Sequence, residues 1–311
     1  MYNYTVIIHI LNVNMLVVEI MEDKRMHKAE VLIEALPYIK EFTGKTFVIK
    51  YGGSVMEDDN LKKKFIEDVA LLVLVGINIV IVHGGGKKIN EMLGKMQIPV
   101  RFEHGLRVTD EKIIDIVEMV LSGSVNKDLT GSLCRHGINA IGISGKDSRL
   151  LTAEKKYLYD KEEKVDIGFV GEISKVNRHL LEDLIAAGYV PIISPVASGE
   201  DGKTYNVNAD YAAGAIAGAL NAEKFILLSD IKGLYTDIND EESFVSEIRI
   251  PEVKKYMEDG TISGGMIPKM ECCISAIEKG TKEVILIDGR IQHSLLLEIF
   301  TRTGSGTMVK G

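Results

Sequence analysis

Two glycine-rich turns, each after a short apolar run, hold the residues most able to do chemistry in this chain. The first run ends in Lys50 and is followed by Gly52 and Gly53, and the second leads into the three glycines at 84–86. Glycines at the end of a strand expose backbone N–H groups and let a ligand approach the main chain closely. A helix that begins after the second turn would add the positive partial charge of its N-terminus. A single glycine turn could be explained by chain reversal alone, but two such turns at strand ends predict a site for an anionic ligand.

Lys269 is the most informative single residue outside these turns. It follows Pro268, which suits the first position of a helix, so Lys269 would lie in the first helical turn. The helix dipole mildly disfavours a cation there, and a nearby anion would offset this cost. Gly264 and Gly265 precede it and favour an anion site, whereas a solvated surface lysine is the simpler alternative.

Three further polar residues each allow a structural and a functional interpretation. Asp210 opens a predicted helix, where it could cap the helix or hold lysine side chains through charge-assisted hydrogen bonds. Asn206 could be a turn residue or a polar ligand to a substrate. Arg107 could be an exposed loop residue, or it could clamp a carboxylate with two parallel hydrogen bonds.

Composition and charge restrict the class of protein. The chain has 311 residues, of which 46% are hydrophobic and 26% charged, as is typical of a globular protein with one or two domains. The formal net charge is −8 with no dominant basic face, which argues against a nucleic-acid partner. The three cysteines have no metal-ligand or redox spacing, so we expect reduced thiols in a cytoplasmic protein and no metal site built by the chain itself.

The beginning of the chain is apolar but does not have the layout of a membrane segment. The stretch 4–20 is interrupted by polar residues and has no basic leader, which argues against a membrane span and a signal peptide. Met21 or Met26 would be alternative starts to Met1. The other interpretation of this stretch is a genuine extra strand or hairpin.

The elements that must position these residues alternate between short apolar strands and helices. Strands are predicted at 46–51, 78–82, 138–143, 190–194, 225–228 and 284–287. Helices are predicted between most of them, including separate helices at 111–121 and 126–136. This alternation predicts an α/β fold with a parallel sheet. The segments 157–159 and 166–171 are predicted to form an antiparallel hairpin instead, and a hairpin beside a glycine-rich site often acts as a lid.

An amphipathic helix is predicted at 28–42, before the first core strand. Its apolar stripe consists of Val31, Leu32, Ala35, Leu36 and Ile39. Pro37 lies inside this helix and is expected to kink it. The stripe needs a docking surface, and another subunit would supply one.

Six short motifs occur in the order found in acetylglutamate kinases of the amino acid kinase family, which the chain resembles from about residue 28 onwards. They are VIKYGG (48–53), VHGGG (82–86), RVT (107–109), NVNAD (206–210), LSD (228–230) and GGMIPK (264–269). The resemblance implies a three-layer αβα sandwich with a mostly parallel central sheet. It also implies ATP-dependent phosphorylation of the side-chain carboxylate of N-acetyl-L-glutamate in arginine biosynthesis.

The same resemblance implies a role for each motif residue. Lys50 and Lys269 would stabilise the transferred phosphoryl group, and Asp210 would orient both lysines. The residues implied to hold phosphates and ATP are Gly52, Gly53, Gly84, Ser229, Asp230 and Gly265. Those implied to bind acetylglutamate are Gly85, Gly86, Arg107 and Asn206. Mg²⁺ would arrive bound to the nucleotide.

Both ends of the chain resemble the arginine-inhibited members of the family. The resemblance implies an interaction helix within 1–43, an acetylglutamate-binding and dimerisation lobe at 44–220, and an ATP-binding lobe at 221–311. An L-arginine site would include His293, Glu298, Gly304 and Gly306, and the protein would be a dimer or a hexamer built from three dimers. Two alternatives stay open, namely a kinase for acetylated or carrier-linked aminoadipate and a non-catalytic amino-acid sensor.

Overall fold

The computed structural model describes residues 30–160, 163–237, 239–302 and 304–311. The alternatives for the stretch 4–20 and the choice of start among Met1, Met21 and Met26 lie outside the described residues. Within the described ranges, no helix is both long and apolar enough to cross a bilayer.

An eight-stranded sheet forms the centre of the fold. In spatial order its strands are β14 (Glu247–Arg249), β16 (Thr307–Lys310), β15 (Glu283–Asp288), β11 (Lys224–Ser229), β1 (Thr46–Tyr51), β2 (Asn78–His83), β8 (Val190–Ser194) and β5 (Ala140–Ser144). The strands from β15 to β5 all run parallel, whereas β16 and its neighbour β14 run in the opposite direction. Parallel strands are buried on both faces, which explains their almost uninterrupted apolar sequences.

Helices cover both faces of this sheet. In chain order they are residues 30–42 (α1), α2 (Asp59–Leu74), α3 (Gly86–Lys95), α4 (Glu111–Glu118), α5 (Asn126–Arg135), α6 (Arg178–Ala186), α7 (Ala209–Ala219), α8 (Ile250–Glu258), α9 (Met266–Glu278) and α10 (Ser294–Phe300). In β1, Val48 packs into the core that holds α7, α8 and α9, whereas Phe47 and Ile49 pack into the core that holds α2, α5 and α10. This alternation follows from the two-residue period of a strand. The prediction of a three-layer αβα fold is confirmed.

A smaller barrel stands beside the sheet. Its four strands are β6 (Leu151–Asp160), β7 (Glu163–Val176), β9 (Val196–Gly199) and β10 (Thr204–Asn206). β6 and β7 form the predicted antiparallel hairpin, which is longer than its two predicted segments. Two short hairpins complete the fold, β3 (Phe102–Glu103) with β4 (Leu106–Arg107) and β12 (Leu234–Tyr235) with β13 (Phe244–Val245).

The predicted break between the helices at 111–121 and 126–136 is wrong. The chain continues from α4 to α5 through a π-helical segment, Met119–Val125. The π-helix is rare and occurs mostly as short bulges inside α-helices, so the helix continues through this segment instead of ending. Ser122 lies in this segment, and its hydroxyl is 2.8 Å from the hydroxyl of Ser194 at the end of β8.

Among the described residues, the helix α1 packs on the rest of the chain near its end, at Tyr38 and Phe42. Phe42 is buried and packs edge-to-face on Phe47, with 5.3 Å between the ring centroids. The helix runs through Pro37. On its predicted apolar stripe, Val31, Leu32 and Leu36 are 49%, 69% and 56% exposed, so the described residues do not cover that part of the stripe.

Candidate functional site

The two predicted glycine turns lie side by side at the carboxyl ends of the parallel strands. The strands β11, β1 and β2 are neighbours, so the turns that follow them lie side by side. The Gly84 N–H donates to the Tyr51 carbonyl at 2.8 Å and joins the two glycine turns directly. A crevice outside the carboxyl ends of parallel strands is where α/β proteins commonly bind ligands.

Asp210 lies between the two predicted lysines. Its Oδ1 is 3.0 Å from the Lys50 Nζ, and its Oδ2 is 3.5 Å from the Lys269 Nζ. The first contact is an ion pair that is not aligned as a hydrogen bond. Burial raises the pKa of Asp210, but the two lysines outweigh burial and hold this pKa below its ordinary value. The carboxylate is therefore ionised and fixes both ammonium groups on one side of the crevice.

The interpretation of Asp210 as the cap of its helix is wrong. Asn208 is the cap of α7, and its side chain accepts a hydrogen bond from the Asp210 N–H at 2.8 Å. Asp210 is the second residue of the helix, with its carboxylate left for the lysines. The other helix begins earlier than predicted, at Met266, so Pro268 is its third residue. Lys269 still lies in its first turn.

The first glycine turn is held by a carboxylate from β11. Asp230 follows that strand, and its Oδ1 accepts from the Ser54 N–H at 3.0 Å and from the Ser54 hydroxyl at 2.7 Å. Gly53 has φ +71°, and a Cβ there would lie 2.7 Å from the same oxygen. A Cβ on Gly52 would lie 2.8 Å from the Lys50 Nζ. The positive φ favours glycine at Gly53, and a side chain at Gly52 would displace the Lys50 ammonium group. Ser54 is a site residue that the sequence reasoning missed.

A cavity of about 180 Å³ opens beside the second glycine turn. Its lining includes Gly84, Gly85, Gly86, Arg107, Asn206, Asn208 and Ala209. All the residues predicted to bind acetylglutamate line this one cavity. Because Asn208 and Ala209 directly precede Asp210, the cavity adjoins the lysine cluster.

Arg107 brings an incompletely paired positive charge to this cavity. It is only 7% exposed, and its Nη2 donates to the Gly86 carbonyl at 3.1 Å. Its guanidinium carbon lies 4.9 Å from the centroid of the Phe102 ring. The buried Nη1 has no acceptor among the described residues. Burial lowers the pKa of Arg107, and an anionic ligand beside the guanidinium would offset this effect.

Asn206 is placed by the barrel. Its Nδ2 donates to the Thr109 hydroxyl at 3.3 Å, and that hydroxyl donates to the Arg107 carbonyl at 2.8 Å. Asn206 pairs with Val170 of β7, and Val170 also lines the cavity. The β6–β7 hairpin therefore forms one wall of the cavity, and its movement as a lid stays a prediction.

A second cavity, of about 250 Å³, lies between α1 and the C-terminal segment. Its lining includes Tyr38 and Phe42 of α1 together with Glu298, Gly304 and Gly306. The Glu298 Oε2 accepts from the N–H groups of Ser305 and Gly306 at 2.6 and 3.1 Å. A buried carboxylate at a cavity wall suits a cationic ligand.

His293 does not line this second cavity. Its Nδ1 is hydrogen-bonded to Asp68 of α2, and both residues line a separate small cavity. Burial raises the pKa of Asp68 to about 6, although the hydrogen bond from His293 opposes this effect. The structure therefore brings Glu298, Gly304 and Gly306 together and leaves His293 with α2.

Comparison with known proteins gives consistent results. The model of the amino acid kinase family matches residues 45–288. Acetylglutamate kinases from Caldanaerobacter subterraneus subsp. tengcongensis and Thermoanaerobacter pseudethanolicus are 55% and 54% identical over 282 residues, which is 91% of this chain and 93% of each relative. The crystal structure of N-acetylglutamate synthase from Neisseria gonorrhoeae with coenzyme A and L-arginine aligns with a TM-score of 0.76 at 26% identity. That alignment covers 91% of this chain and 65% of the synthase.

Proposed function

This chain belongs to the amino acid kinase family, and we infer that it has acetylglutamate kinase activity. It transfers the γ-phosphoryl group of ATP to the side-chain carboxylate of N-acetyl-L-glutamate, giving N-acetyl-L-glutamyl 5-phosphate and ADP in arginine biosynthesis. The observation that carries this inference is the ion cluster of Asp210 with two lysines, beside a cavity that holds a buried guanidinium.

The chemistry requires alignment and charge neutralisation more than proton transfer. A carboxylate oxygen of the acceptor forms a bond to the γ-phosphorus while the bond to the β,γ-bridging oxygen breaks, and ADP leaves with that electron pair. The acceptor is already an anion, so no general base is needed. Lys50 and Lys269 would lie at the oxygens of the transferred phosphoryl group. There they would balance its negative charge during the in-line displacement.

The acceptor would be bound by the 180 Å³ cavity. The Arg107 Nη1 lacks an acceptor among the described residues and is suited to the α-carboxylate of acetylglutamate. Asn206 and the backbone of Gly85 and Gly86 would complete this site. The residues 44–220 would form the acceptor lobe.

The nucleotide would be bound at the turns after β11 and before α9, in a lobe formed by 221–311. Ser229, Asp230 and Gly265 would border ATP, and Gly52, Gly53 and Gly84 would hold phosphate oxygens. Nowhere in the described ranges do three or more His, Cys, Asp or Glu side chains cluster in a way that could hold a metal ion. We propose that Mg²⁺ enters on the phosphates of ATP, where it would supply further charge neutralisation.

The activity is tested by measuring ADP release and trapping the acyl phosphate with hydroxylamine. N-acetyl-L-glutamate is expected to react, and unacetylated L-glutamate to react far more slowly. A higher kcat/KM for N-acetyl-L-aminoadipate would favour the kinase for longer acceptors, since one methylene is worth only about 1–3 kcal/mol in such a pocket. Acetylglutamate binding without any turnover would favour the amino-acid sensor.

Two lysine variants with a matched control connect the activity to this site. Lys50→Ala and Lys269→Ala are each expected to lower kcat by orders of magnitude and to change KM less. Lys282→Ala is the control, because Lys282 pairs at 2.8 Å with Glu223 before β11, at the opposite edge of the sheet. Near-normal turnover in either active-site variant would contradict the assignment.

We propose further that L-arginine inhibits the enzyme by binding in the 250 Å³ cavity. The carboxylate of Glu298 at the cavity wall supports a cationic ligand, and the related synthase was crystallised with L-arginine. The exposed stripe of α1 supports docking on another subunit, giving a hexamer of three dimers rather than a dimer. Deleting 1–42 is expected to leave an active dimer that does not respond to L-arginine, and a truncated protein that is still hexameric would contradict this proposal.

A further inference from the structure

His83 is a fully buried titratable residue to which the proposed function gives no role. It is the last residue of β2, directly before Gly84, and it is 0% exposed. Its Nδ1 lies 2.8 Å from the Gly84 carbonyl oxygen, and its Nε2 lies 3.2 Å from the Asn126 Nδ2. Both ring nitrogens therefore have partners, and those partners decide which nitrogen carries the proton.

The orientation of the Asn126 amide decides the tautomer of His83. The Lys127 Nζ lies 3.1 Å from the Asn126 Oδ1, and an ammonium group can only donate, so the amide oxygen must face Lys127. The Asn126 Nδ2 donates to the Ile192 carbonyl at 2.8 Å, which agrees with this orientation. The Nδ2 group also lies 3.2 Å from the Ile143 carbonyl, so its two hydrogens are shared among three acceptors, and this donor can face the His83 Nε2 only if that nitrogen is unprotonated. The proton of the neutral imidazole is on Nδ1 and is donated to the Gly84 carbonyl.

This hydrogen bond sets the direction of one backbone N–H in the second glycine turn. In a trans peptide the carbonyl of Gly84 and the N–H of Gly85 point in opposite directions. Because the carbonyl faces the buried imidazole, the Gly85 N–H faces away from the core. Among the described residues, no acceptor is hydrogen-bonded to the Gly85 N–H. Both glycines line the 180 Å³ cavity beside the lysine cluster.

We propose that His83 is a positioning residue that aims the Gly85 N–H at the carboxylate of the acceptor substrate. Two glycines in succession have many accessible conformations, so the turn needs a fixed partner to keep one peptide plane in place. Lys127 and Asn126 hold the imidazole in the tautomer that donates to Gly84. This inference rests on the proposed function, because it is the bound acetylglutamate that would accept the hydrogen bond.

Two substitutions separate the two ends of the imidazole. The amide nitrogen of asparagine is three bonds from Cα, like the imidazole Nδ1, so His83→Asn keeps a donor for the Gly84 carbonyl. The amide of glutamine is one bond further out, like Nε2, so His83→Gln keeps only a partner for Asn126. Loss of a hydrogen bond to a charged group is expected to raise the KM for acetylglutamate about tenfold to a hundredfold.

We expect this rise in the KM for acetylglutamate in His83→Gln, whereas in His83→Asn this KM should stay close to the wild-type value. The KM for ATP should be within about twofold of wild type in both variants. Both variants lose the ring, so their melting temperatures should fall by similar amounts. An equal rise in KM in both variants, or no rise in either, would show that His83 only fills the core. Absence of acetylglutamate turnover in the wild-type protein would instead overturn the proposed function.

A measurement on the wild-type protein avoids any folding defect of the variants. Hydrogen exchange at the Gly85 amide is followed by NMR with and without N-acetyl-L-glutamate. The amide is expected to become protected when the acceptor binds. An unchanged exchange rate at saturating acceptor would overturn the proposed direction of this N–H.

Discussion

Replacing Asp210 by asparagine is the most direct perturbation of the site. The change keeps the shape of the side chain and removes the one charge that lies between Lys50 and Lys269. In the wild-type protein the two carboxylate oxygens are 3.0 and 3.5 Å from the two ammonium groups. Asp210→Asn would leave these cations without their common partner and free to separate.

The expected size of the effect follows from these distances. A unit charge pair 3.0 or 3.5 Å apart interacts by about 5 kcal/mol at an effective dielectric constant of about 20. The side chains of Lys50, Asp210 and Lys269 are 12%, 18% and 22% exposed, so water screens these contacts only in part. If about 3 kcal/mol of this orienting energy is lost in the transition state, kcat falls about a hundredfold.

The assay is steady-state ADP release with acetylglutamate and ATP varied separately. We expect kcat to fall about a hundredfold or more, with smaller changes in either KM, because the ion pairs orient the lysines for the moving phosphoryl group. Glu223→Gln is the matched control, because it removes the carboxylate that pairs with Lys282 at the opposite edge of the sheet. A kcat within about threefold of wild type in Asp210→Asn would refute the reasoning.

Three other predictions test separate parts of the site. Arg107→Lys is expected to raise the KM for acetylglutamate about tenfold or more without changing the KM for ATP, because lysine cannot make the planar bidentate contact; a rise in the KM for ATP alone would move Arg107 to the nucleotide site. Glu298→Gln is expected to weaken inhibition by L-arginine and to leave turnover without arginine intact, and an unchanged inhibition curve would contradict the proposed arginine site. Burial lowers the pKa of His83 from 6.5 to about 4, with the nearby Lys127 adding to this effect and the Gly84 carbonyl opposing it. As pH falls, the unfolded chain therefore binds a proton at His83 before the folded chain does, and the contribution of His83 to the free energy of unfolding should decrease by about 1–2 kcal/mol between pH 6.5 and 5. Asp68, with its pKa raised by burial to about 6, has the opposite effect over this range, equally in wild type and variant. Urea denaturation at several pH values measures the contribution of His83 as the difference between wild type and His83→Asn; an identical pH dependence in that variant would assign the decrease to other groups.

Much of the fold could be predicted because its signals are local. Each parallel strand is a continuous apolar run between turn residues, and the glycines after β1 and β2 stand at the strand ends themselves. The same locality made Lys50 and the glycine turns visible before any contact was known. The π-helical segment Met119–Val125 was missed because its small residues were interpreted as a break between two helices. In the structure the helix continues through them.

Other parts of the site depend on partners far away in the sequence. Ser54 is recognisable only through Asp230, which is 176 residues away, and the imidazole of His83 depends on Asn126, 43 residues away. No spacing rule within one segment predicts such contacts. The role of His293 was implied by resemblance alone, and its pairing with Asp68 is set by how α10 packs on α2.

The order of residues at the start of α7 separates the stability of the helix from the chemistry of the site. Asparagine and aspartate cap helices about equally well, so capping alone does not explain which of them stands at 208 and which at 210. A charge at the cap would be held by the N–H groups of the first turn and drawn away from the lysines. With the neutral Asn208 as the cap, the charged Asp210 is the second residue of the helix, where its carboxylate reaches Lys50 and Lys269. An asparagine at 210 would preserve the helix, but only an aspartate there can keep two ammonium groups together, and the sequence has the aspartate at that position.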